Sequence, residues 1–550
     1  MNKETIQLDI TGMTCDHCAT DIEILLSKNE GISEAKVSYP NGSCECSFDP
    51  TKTSKEAIVN TINETKNYKV KAVNENDNTD RNHFDLIIIG GGSAAFSAAI
   101  KAENLGLSTL MVNGGLDFGG TCVNVGCVPS KNLIRAGETA YHASHSNFTG
   151  IKPKGVDIDF AQVIKDKKRL VATLQEKKYM DVVSDFQNLK MVTGWAEFKD
   201  NKTITVDGKT EYSALKFTIA TGATTNIPNI EGLNEIGYLT NVSLFDLEEK
   251  PDSITIMGAG YIGLEIAMAY NRLGVKIRII EFTDRVLRTQ TPDISEALET
   301  QMRKGDIEIL PNFRAVKFEK QGSETIIHCK CPDGSYTQII EKGKIVVASG
   351  TKPNTQKLGL QNIGIELSKT GHILVNEKME TNLPNIYAVG DVTNTPAFVY
   401  TAAFEGKIAV ENAFTGAENK ADYSSLPWVV FTDPQVAGAG LDEAQAEAQN
   451  IPFEVSKIEL KDVPRAIAAN DTRGFIKLIR NTDTDKLIGA RIVAPEGGEL
   501  IQQLSMAIKF GITVKDLAES FYPYLTLGEG IKLAAIMFEK DVSKLSCCAS

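Results

Sequence analysis

Two short glycine turns constrain this chain more than any other feature. Phe84-Asp-Leu-Ile-Ile-Ile is an apolar run closed by Gly90-Gly91-Gly92 and followed by an alanine-rich stretch. Ser253-Ile-Thr-Ile-Met is closed by Gly258-Ala259-Gly260 and again runs into a helical pattern. A buried strand, a glycine turn and a helix, met twice, predict two doubly wound α/β domains. In each turn the first glycine allows the sharp reversal and the second lets the backbone approach a pyrophosphate. A small third residue, Ala95 or Gly263, lets helix pack on strand. The helix N-terminus then presents unpaired N–H groups and partial positive charge to phosphate.

The acidic residue that contacts the ribose is expected about 20 residues further on. Asn113 stands there after the first turn, supplying a hydrogen bond without the charge, and Glu281 after the second. A carboxylate favours the free 2′-hydroxyl of NADH and repels the 2′-phosphate of NADPH. Arg285 and Arg288 follow closely and suit a phosphate, although a solvated loop accounts for them equally well. The sequence leaves both nucleotides open.

The chain has 550 residues, 58 Lys+Arg against 71 Asp+Glu, and ten cysteines. At roughly 150 residues per domain, three or four domains are expected. A net charge of -13, spread along the chain, argues against nucleic acid or an anionic membrane as main partner. No apolar run approaches the roughly 20 residues of a membrane span. The opening segment lacks a secretory-signal pattern, so a cytoplasmic location is expected, where structural disulfides are rare. The cysteines fall into five close pairs: Cys15/Cys18, Cys44/Cys46, Cys122/Cys127, Cys329/Cys331 and Cys547/Cys548. In a reducing compartment such thiols read as metal or redox sites.

Residues 1–72 carry the periodicity of a βαββαβ, ferredoxin-like unit. A polar stretch over 73–83 reads as a flexible linker. The first dinucleotide domain is assigned to 84–225, completed by about 355–415, and the second to 226–354. From 425 to 550 an α+β domain is expected, with strands over 428–431, 474–480 and 486–492 and helices over 499–509 and 514–519.

The most specific stretch is Gly119-Gly120-Thr121-Cys122-Val-Asn-Val-Gly-Cys127-Val-Pro-Ser-Lys131. Two thiols at this spacing span one helical turn, close as a disulfide and reopen. Together with the two turns, this segment resembles the active site of the flavoprotein disulfide reductase family. The resemblance implies FAD at the first turn, held by Gly90, Gly92, Ala95, Asn113, Gly115, Gly120, Thr121, Lys131, Ala196, Gly222, Asp391 and Val399. It implies NADH or NADPH at Gly258, Gly260, Gly263 and Glu281, with Glu265 paired to Lys131. Cys127 would face the flavin and Cys122 the substrate. A homodimer is implied, the C-terminal domain of each subunit completing the other's active site.

In the disulfide-reducing branches a His-Pro segment near the C-terminus supplies an acid/base. Here the stretch is Phe521-Tyr-Pro-Tyr524-Leu-Thr526-Leu-Gly-Glu529, and Tyr524 takes the place of the histidine. A phenol with an ordinary pKa near 10 is a poor proton shuttle at neutral pH, and no histidine follows His372. The chain ends Lys544-Leu-Ser-Cys547-Cys548-Ala-Ser. With Phe398-Val-Tyr400 and Val463-Pro-Arg465-Ala, this tail resembles the mercuric-ion-reducing branch of the family, and the likeness spans essentially the whole chain.

Gly12-Met13-Thr14-Cys15-Asp-His17-Cys18 resembles the heavy-metal-associated domain. Cys15 would lie on a loop and Cys18 at a helix start, where thiolate is favoured. Soft thiolates select Cu(I), Zn or Hg(II), and the motif alone does not choose. Met13 is expected as a core contact, His17 as a solvated neighbour and Tyr68 as packing near the metal loop.

The implied reaction is NAD(P)H + Hg(II) → NAD(P)+ + H+ + Hg(0), serving mercury resistance. Hg(II) would arrive as thiol complexes handed over by a mercury transport protein. It would pass from Cys15 and Cys18 to Cys547 and Cys548 of the partner subunit, then to Cys122 and Cys127, with Tyr179, Tyr400 and Tyr524 near the metal. A dihydrolipoamide dehydrogenase-like or other flavin disulfide reductase is the enzymatic alternative, favoured by Glu281. A metal-binding carrier is the non-enzymatic one. Cys44/Cys46 and Cys329/Cys331 are spaced to share a strand face and are expected in the core, with a second metal site beside His328 as the alternative.

Overall fold

The computed structural model describes residues 4–13, 16–39, 42–65, 67–75 and 82–541. Cys15, Cys547, Cys548 and most of the expected linker lie outside the described residues. The chain divides into two compact units, Met1–His83 and Phe84–Ser550.

In the first unit the order is β1 (Glu4–Thr11), α1 (Asp16–Ser27), β2 (Ile32–Ser38), β3 (Ser43–Phe48), α2 (Lys55–Asn63) and β4 (Lys69–Glu75). The sheet runs β2-β3-β1-β4 and is antiparallel throughout, as the βαββαβ expectation requires. Alternation in β1 puts Ile6, Leu8 and Ile10 on one face, where they meet Ile22, Leu26, Ile58 and Ile62 of the two helices. β4 runs past the expected end at residue 72, because Asn74 and Glu75 pair with Gln7 and Ile6. An exposed strand edge satisfies its backbone groups whatever the side chains are, so polar sequence conceals the extension.

The second unit opens with β5 (His83–Ile89), α3 (Ser93–Asn104) and β6 (Thr109–Asn113). β5 and β6 are parallel, and β6 pairs in parallel with β7 (Leu189–Thr193). On the far side of β5 lies the strand Thr210–Ile219, to which Ile386–Ala388 adds in parallel. Residues far along the chain thus complete the first domain. The helix Val399–Thr415 packs on α3 so closely that a Cβ on Gly406 would stand 2.2 Å from the Ala94 carbonyl oxygen.

The second dinucleotide domain has a parallel sheet in the order Glu308–Leu310, Lys276–Ile280, Ser253–Met257, Lys344–Val347. The C-terminal domain is built on five antiparallel strands in the order Trp428–Val430, Gln435–Gly440, Leu487–Ala494, Phe475–Asn481, Phe453–Glu459. The second and last of these escape the sequence reading. Gln435–Gly440 consists of small residues without a β-branched signature apart from Val436, because Trp428 and Arg491 lie across Gly438 and leave no room for a Cβ. No helix among the described residues is long and apolar enough to cross a membrane.

Candidate active site

The first glycine turn is a backbone cradle. Gly90 has φ +131°, and a Cβ there would lie 2.1 Å from the Ala220 carbonyl oxygen. Gly92 starts α3 without a side-chain cap, leaving the helix's first N–H groups for a ligand. Gly120 (φ +64°) approaches Gly92 so nearly that its Cβ would fall 2.6 Å from the Gly92 Cα. Ala95 is fully buried. Asn113 closes β6 with its side chain against Gly91, its Nδ2 donating to the Leu116 carbonyl at 2.8 Å. That bond uses one of the amide's two N–H groups and braces the turn. Gly115 lies over the Trp195 ring, next to buried Ala196, and Thr121 is exposed on α4 (Gly120–Val125).

The chain crossing beside it is pinned by reciprocal bonds. Asn354 donates through its backbone to the Gly222 carbonyl and through Nδ2 to that of Thr221, both at 2.9 Å. Burial pushes the Asp391 carboxyl up. The neighbouring Gly390 N–H donates to Glu405 Oε2 at 2.6 Å, and Tyr423 donates to Glu405 Oε1 at 2.6 Å. The buried Glu405 therefore positions this loop, a role the sequence reading missed because no motif marks it. A glycine cradle, an uncapped helix start and a buried carboxylate fit FAD.

The second turn repeats the design. A Cβ on Gly258 would stand 2.5 Å from the Ala348 carbonyl oxygen, and one on Gly263 2.1 Å from that of Gly258. Gly260 starts the helix Tyr261–Arg272 without a side-chain cap and has open space beside it. Glu281 is buried at the end of its strand and accepts hydrogen bonds from Ala259 N (2.6 Å), Thr283 N (2.8 Å) and Thr283 Oγ1 (2.7 Å).

The thiol pair departs from the expected single helical turn. α4 stops at Val125, and Cys127 is the first residue of an 18-residue helix, α5 (Cys127–Ser144). Gly126 makes the break, where a Cβ would meet the Thr121 carbonyl oxygen at 2.9 Å. Cys127 thus stands on a helix N-terminus, which favours thiolate. The Cys122 thiol donates a hydrogen bond to Cys127, and the Lys131 ammonium lies one turn on. Both hold Cys127 below the ordinary thiol range against the opposing effect of burial. The same hydrogen bond, then burial, pushes Cys122 up. One proton serves two sulfurs.

Lys131 Nζ pairs with Glu265 Oε2 at 2.6 Å and lies 4.6 Å from the centre of the Phe431 ring. Glu265 Oε1 accepts the Phe431 N–H at 3.0 Å. This pairing joins the thiol helix to the helix of the second turn and to the C-terminal domain.

Tyr179 sits on the π-helical turn Glu176–Met180, its hydroxyl 3.0 Å from Ser93 Oγ and its ring edge-on to Phe96. Burial raises its phenol, and the charges of Cys122 and Cys127 add to this. Tyr179, Val399 and Tyr400 line one open cleft of about 410 Å³ beside the start of α3. The Tyr400 hydroxyl donates to the Pro427 carbonyl, and its phenol is raised by burial and by the Tyr261 and Cys127 charges. Tyr524 is not brought to this cleft. It is 54% exposed, on a segment held by Tyr522 and Leu527, which pack on the C-terminal core.

In the first unit, Cys18 stands in the first turn of α1, packed with Met13 against the core, and His17 is exposed. Gly12 (φ +99°) presses on the 67–68 backbone, its Cβ position 2.0 Å from the Asn67 carbonyl oxygen, and Tyr68 is buried behind the loop. Cys44 and Cys46 are fully buried, and burial pushes their thiols up to about 12 and about 11. Cys329 is likewise buried and raised to about 11, while His328 turns to Glu319 at 3.1 Å. Cys331 departs from the expected core pair, since its strand ends at Lys330 and Cys331 is half-buried at a turn closed on Ser335. Among the described residues no group of three or more metal-ligating side chains is assembled.

Residues 84–406 match the pyridine nucleotide-disulphide oxidoreductase family, 426–535 its dimerisation domain, and 7–69 the heavy-metal-associated domain. The chain is 39% identical to proteins named mercuric reductase from Staphylococcus aureus and from Lysinibacillus sphaericus, each alignment covering all of both chains. Among solved structures it is similar to a Cu(II) complex of the HOCl-induced flavoprotein disulfide reductase RclA from Escherichia coli. The TM-score is 0.75 at 26% identity, over 83% of this chain and 100% of that one. By full-length similarity and by the thiol pair set beside two dinucleotide turns, the chain belongs to the pyridine nucleotide-disulphide oxidoreductase family and, within it, to the mercuric reductases.

Proposed function

We propose that the chain reduces thiol-bound Hg(II) to Hg(0) at Cys122 and Cys127, with a pyridine nucleotide as electron donor. The observation that carries this is the placing of the pair: Cys127 opens a helix one turn before Lys131 and accepts a hydrogen bond from the Cys122 thiol, which favours thiolate at Cys127. Two thiolates in line are what Hg(II) prefers, and the softness of sulfur discriminates against Mg(II) or Ca(II). FAD bound at the first turn would take hydride equivalents from the nicotinamide and supply two electrons to the metal site. Lys131 balances charge beside Cys127, and Glu265 fixes Lys131. Tyr179 and Tyr400 line the open cleft beside the start of α3, and their phenols feel the charge of the thiol pair. The balance is one hydride from NAD(P)H, two electrons to Hg(II) and one H+ released.

Capture at Cys15 and Cys18, hand-over through Cys547 and Cys548 of the partner subunit, and contact of Tyr524 with the partner's site complete the proposed route. The match to a heavy-metal-associated domain and the adjacent terminal thiols support it. A homodimer is supported by the dimerisation-domain match and by the exposed aromatics Phe510, Phe521 and Tyr524. A relay of reduced thiols suits the cytoplasm, where it would confer mercury resistance and accept Hg(II) from a mercury transport protein.

The test is nucleotide oxidation with and without Hg(II) in excess thiol, trapping the volatile product. Hg(II)-dependent oxidation with stoichiometric Hg(0) is expected. No Hg(0), or equal oxidation without the ion, overturns the proposal.

A further inference from the structure

We infer that the second turn is built for NADH and rejects NADPH, with Glu281 and Asp284 setting the choice. This rests on the proposal that the second turn takes a nicotinamide nucleotide. Glu281 is pinned in place. Its Oε2 accepts from Ala259 N, in the middle of the glycine turn, and its Oε1 takes both donors of Thr283. An oxygen has two lone pairs, so Oε2 keeps one acceptor position beside the turn. A ribose 2′-hydroxyl donates to it. A 2′-phosphate, acceptor-only and close to doubly charged at neutral pH, meets instead a carboxylate held by three hydrogen bonds.

The cations that would answer a phosphate are both drawn to Asp284, although Arg285 Nε remains a buried donor with no partner among the described residues. Phe282, next to Glu281, is 67% exposed and carries no charge. Arg285 pairs with Asp284 at 3.0 Å and donates to the Gln290 carbonyl at 3.2 Å. Arg288 pairs with the other oxygen of Asp284 at 2.9 Å. Two guanidiniums share one carboxylate, and with Glu281 the four side chains sum to zero charge. Asp284 therefore neutralises charge that would otherwise answer an incoming phosphate.

The test uses the full-length, FAD-loaded protein and the oxidised nucleotides NAD+ and NADP+, whose binding is measured by titration calorimetry without turnover. NAD+ should bind roughly 100-fold more tightly than NADP+, since like charges in a desolvated contact are strongly disfavoured. Glu281→Gln should tighten NADP+ by roughly tenfold, and Asp284→Asn, on an exposed loop, by a few-fold with little change for NAD+. NADP+ binding as tightly as NAD+ to the unmodified protein overturns the inference while leaving mercury reduction intact. Binding of neither nucleotide removes the nicotinamide assignment and the preference with it.

Discussion

Cys44 and Cys46 are buried more completely than Cys122 and Cys127, yet only the second pair is prepared for chemistry. The first pair points from the middle of β3 into an aliphatic core. Ladder bonds consume the neighbouring N–H groups there, and burial drives both thiols toward the protonated form. Cys127 opens a helix, accepts a hydrogen bond from the Cys122 thiol and has Lys131 one turn away. Burial without a donor or a cation makes a cysteine inert, and burial with both makes it a nucleophile. Thiol content alone does not tell the pairs apart.

The comparison breaks most visibly in turnover. Cys122→Ala or Cys127→Ala should lower Hg(0) formation by more than roughly 1000-fold, as expected when one of two groups acting as a unit is removed. Cys44→Ala/Cys46→Ala should keep turnover within about twofold and lose roughly 1–3 kcal/mol of first-unit stability through lost packing. A folded but inactive Cys44/Cys46 variant would contradict the division. Next in size, Gly120→Ala places a Cβ 2.6 Å from the Gly92 Cα at a positive φ. The purified variant should be nearly colourless, with FAD affinity down by roughly 100-fold or more.

The pH dependence sharpens the same contrast. Thiolate is the form that alkylates, so the rate at Cys127 should climb and level off below the ordinary thiol range near 8.5. Lys131→Met removes a cation that favours the thiolate and should move the midpoint up by roughly one unit. An unmoved midpoint would assign the effect to the helix terminus and Cys122 alone. The smallest effect concerns the first unit. Deleting residues 1–83 should leave FAD binding and turnover in excess thiol unchanged, and slow Hg(II) delivery only when thiol is scarce. Equal rates at limiting thiol would remove the proposed delivery role.

Much of this was legible in sequence, for identifiable reasons. Gly90, Gly258 and Gly263 announce themselves because only glycine suits a backbone that touches backbone, while Gly92 and Gly260 keep the space beside each helix start open. The Lys131–Glu265 pairing followed from a family likeness, and the salt bridge is there. Other features have no local signature. Gly126 breaks what the cysteine spacing presents as one turn, because the clash it avoids is with Thr121 across a bend. Asn113 sits where a ribose ligand is expected, and its Nδ2 also bonds the Leu116 carbonyl, a contact that only the folded loop makes. Glu405 and Tyr423 are separated in sequence and meet only once the Val399–Thr415 helix is docked. The strand Gln435–Gly440 is hidden because its neighbours Trp428 and Arg491 fill the space that larger side chains would have signalled.

The claim that local context, not thiol content, selects the working pair is tested most directly by site-resolved alkylation. The reduced full-length protein is treated briefly with iodoacetamide at pH 7, and each cysteine-containing peptide is quantified by mass spectrometry. Cys127 should be modified rapidly, Cys122 more slowly, and Cys44, Cys46 and Cys329 only after unfolding. Modification of Cys44 or Cys46 in the folded protein at a rate matching Cys127 would contradict the account.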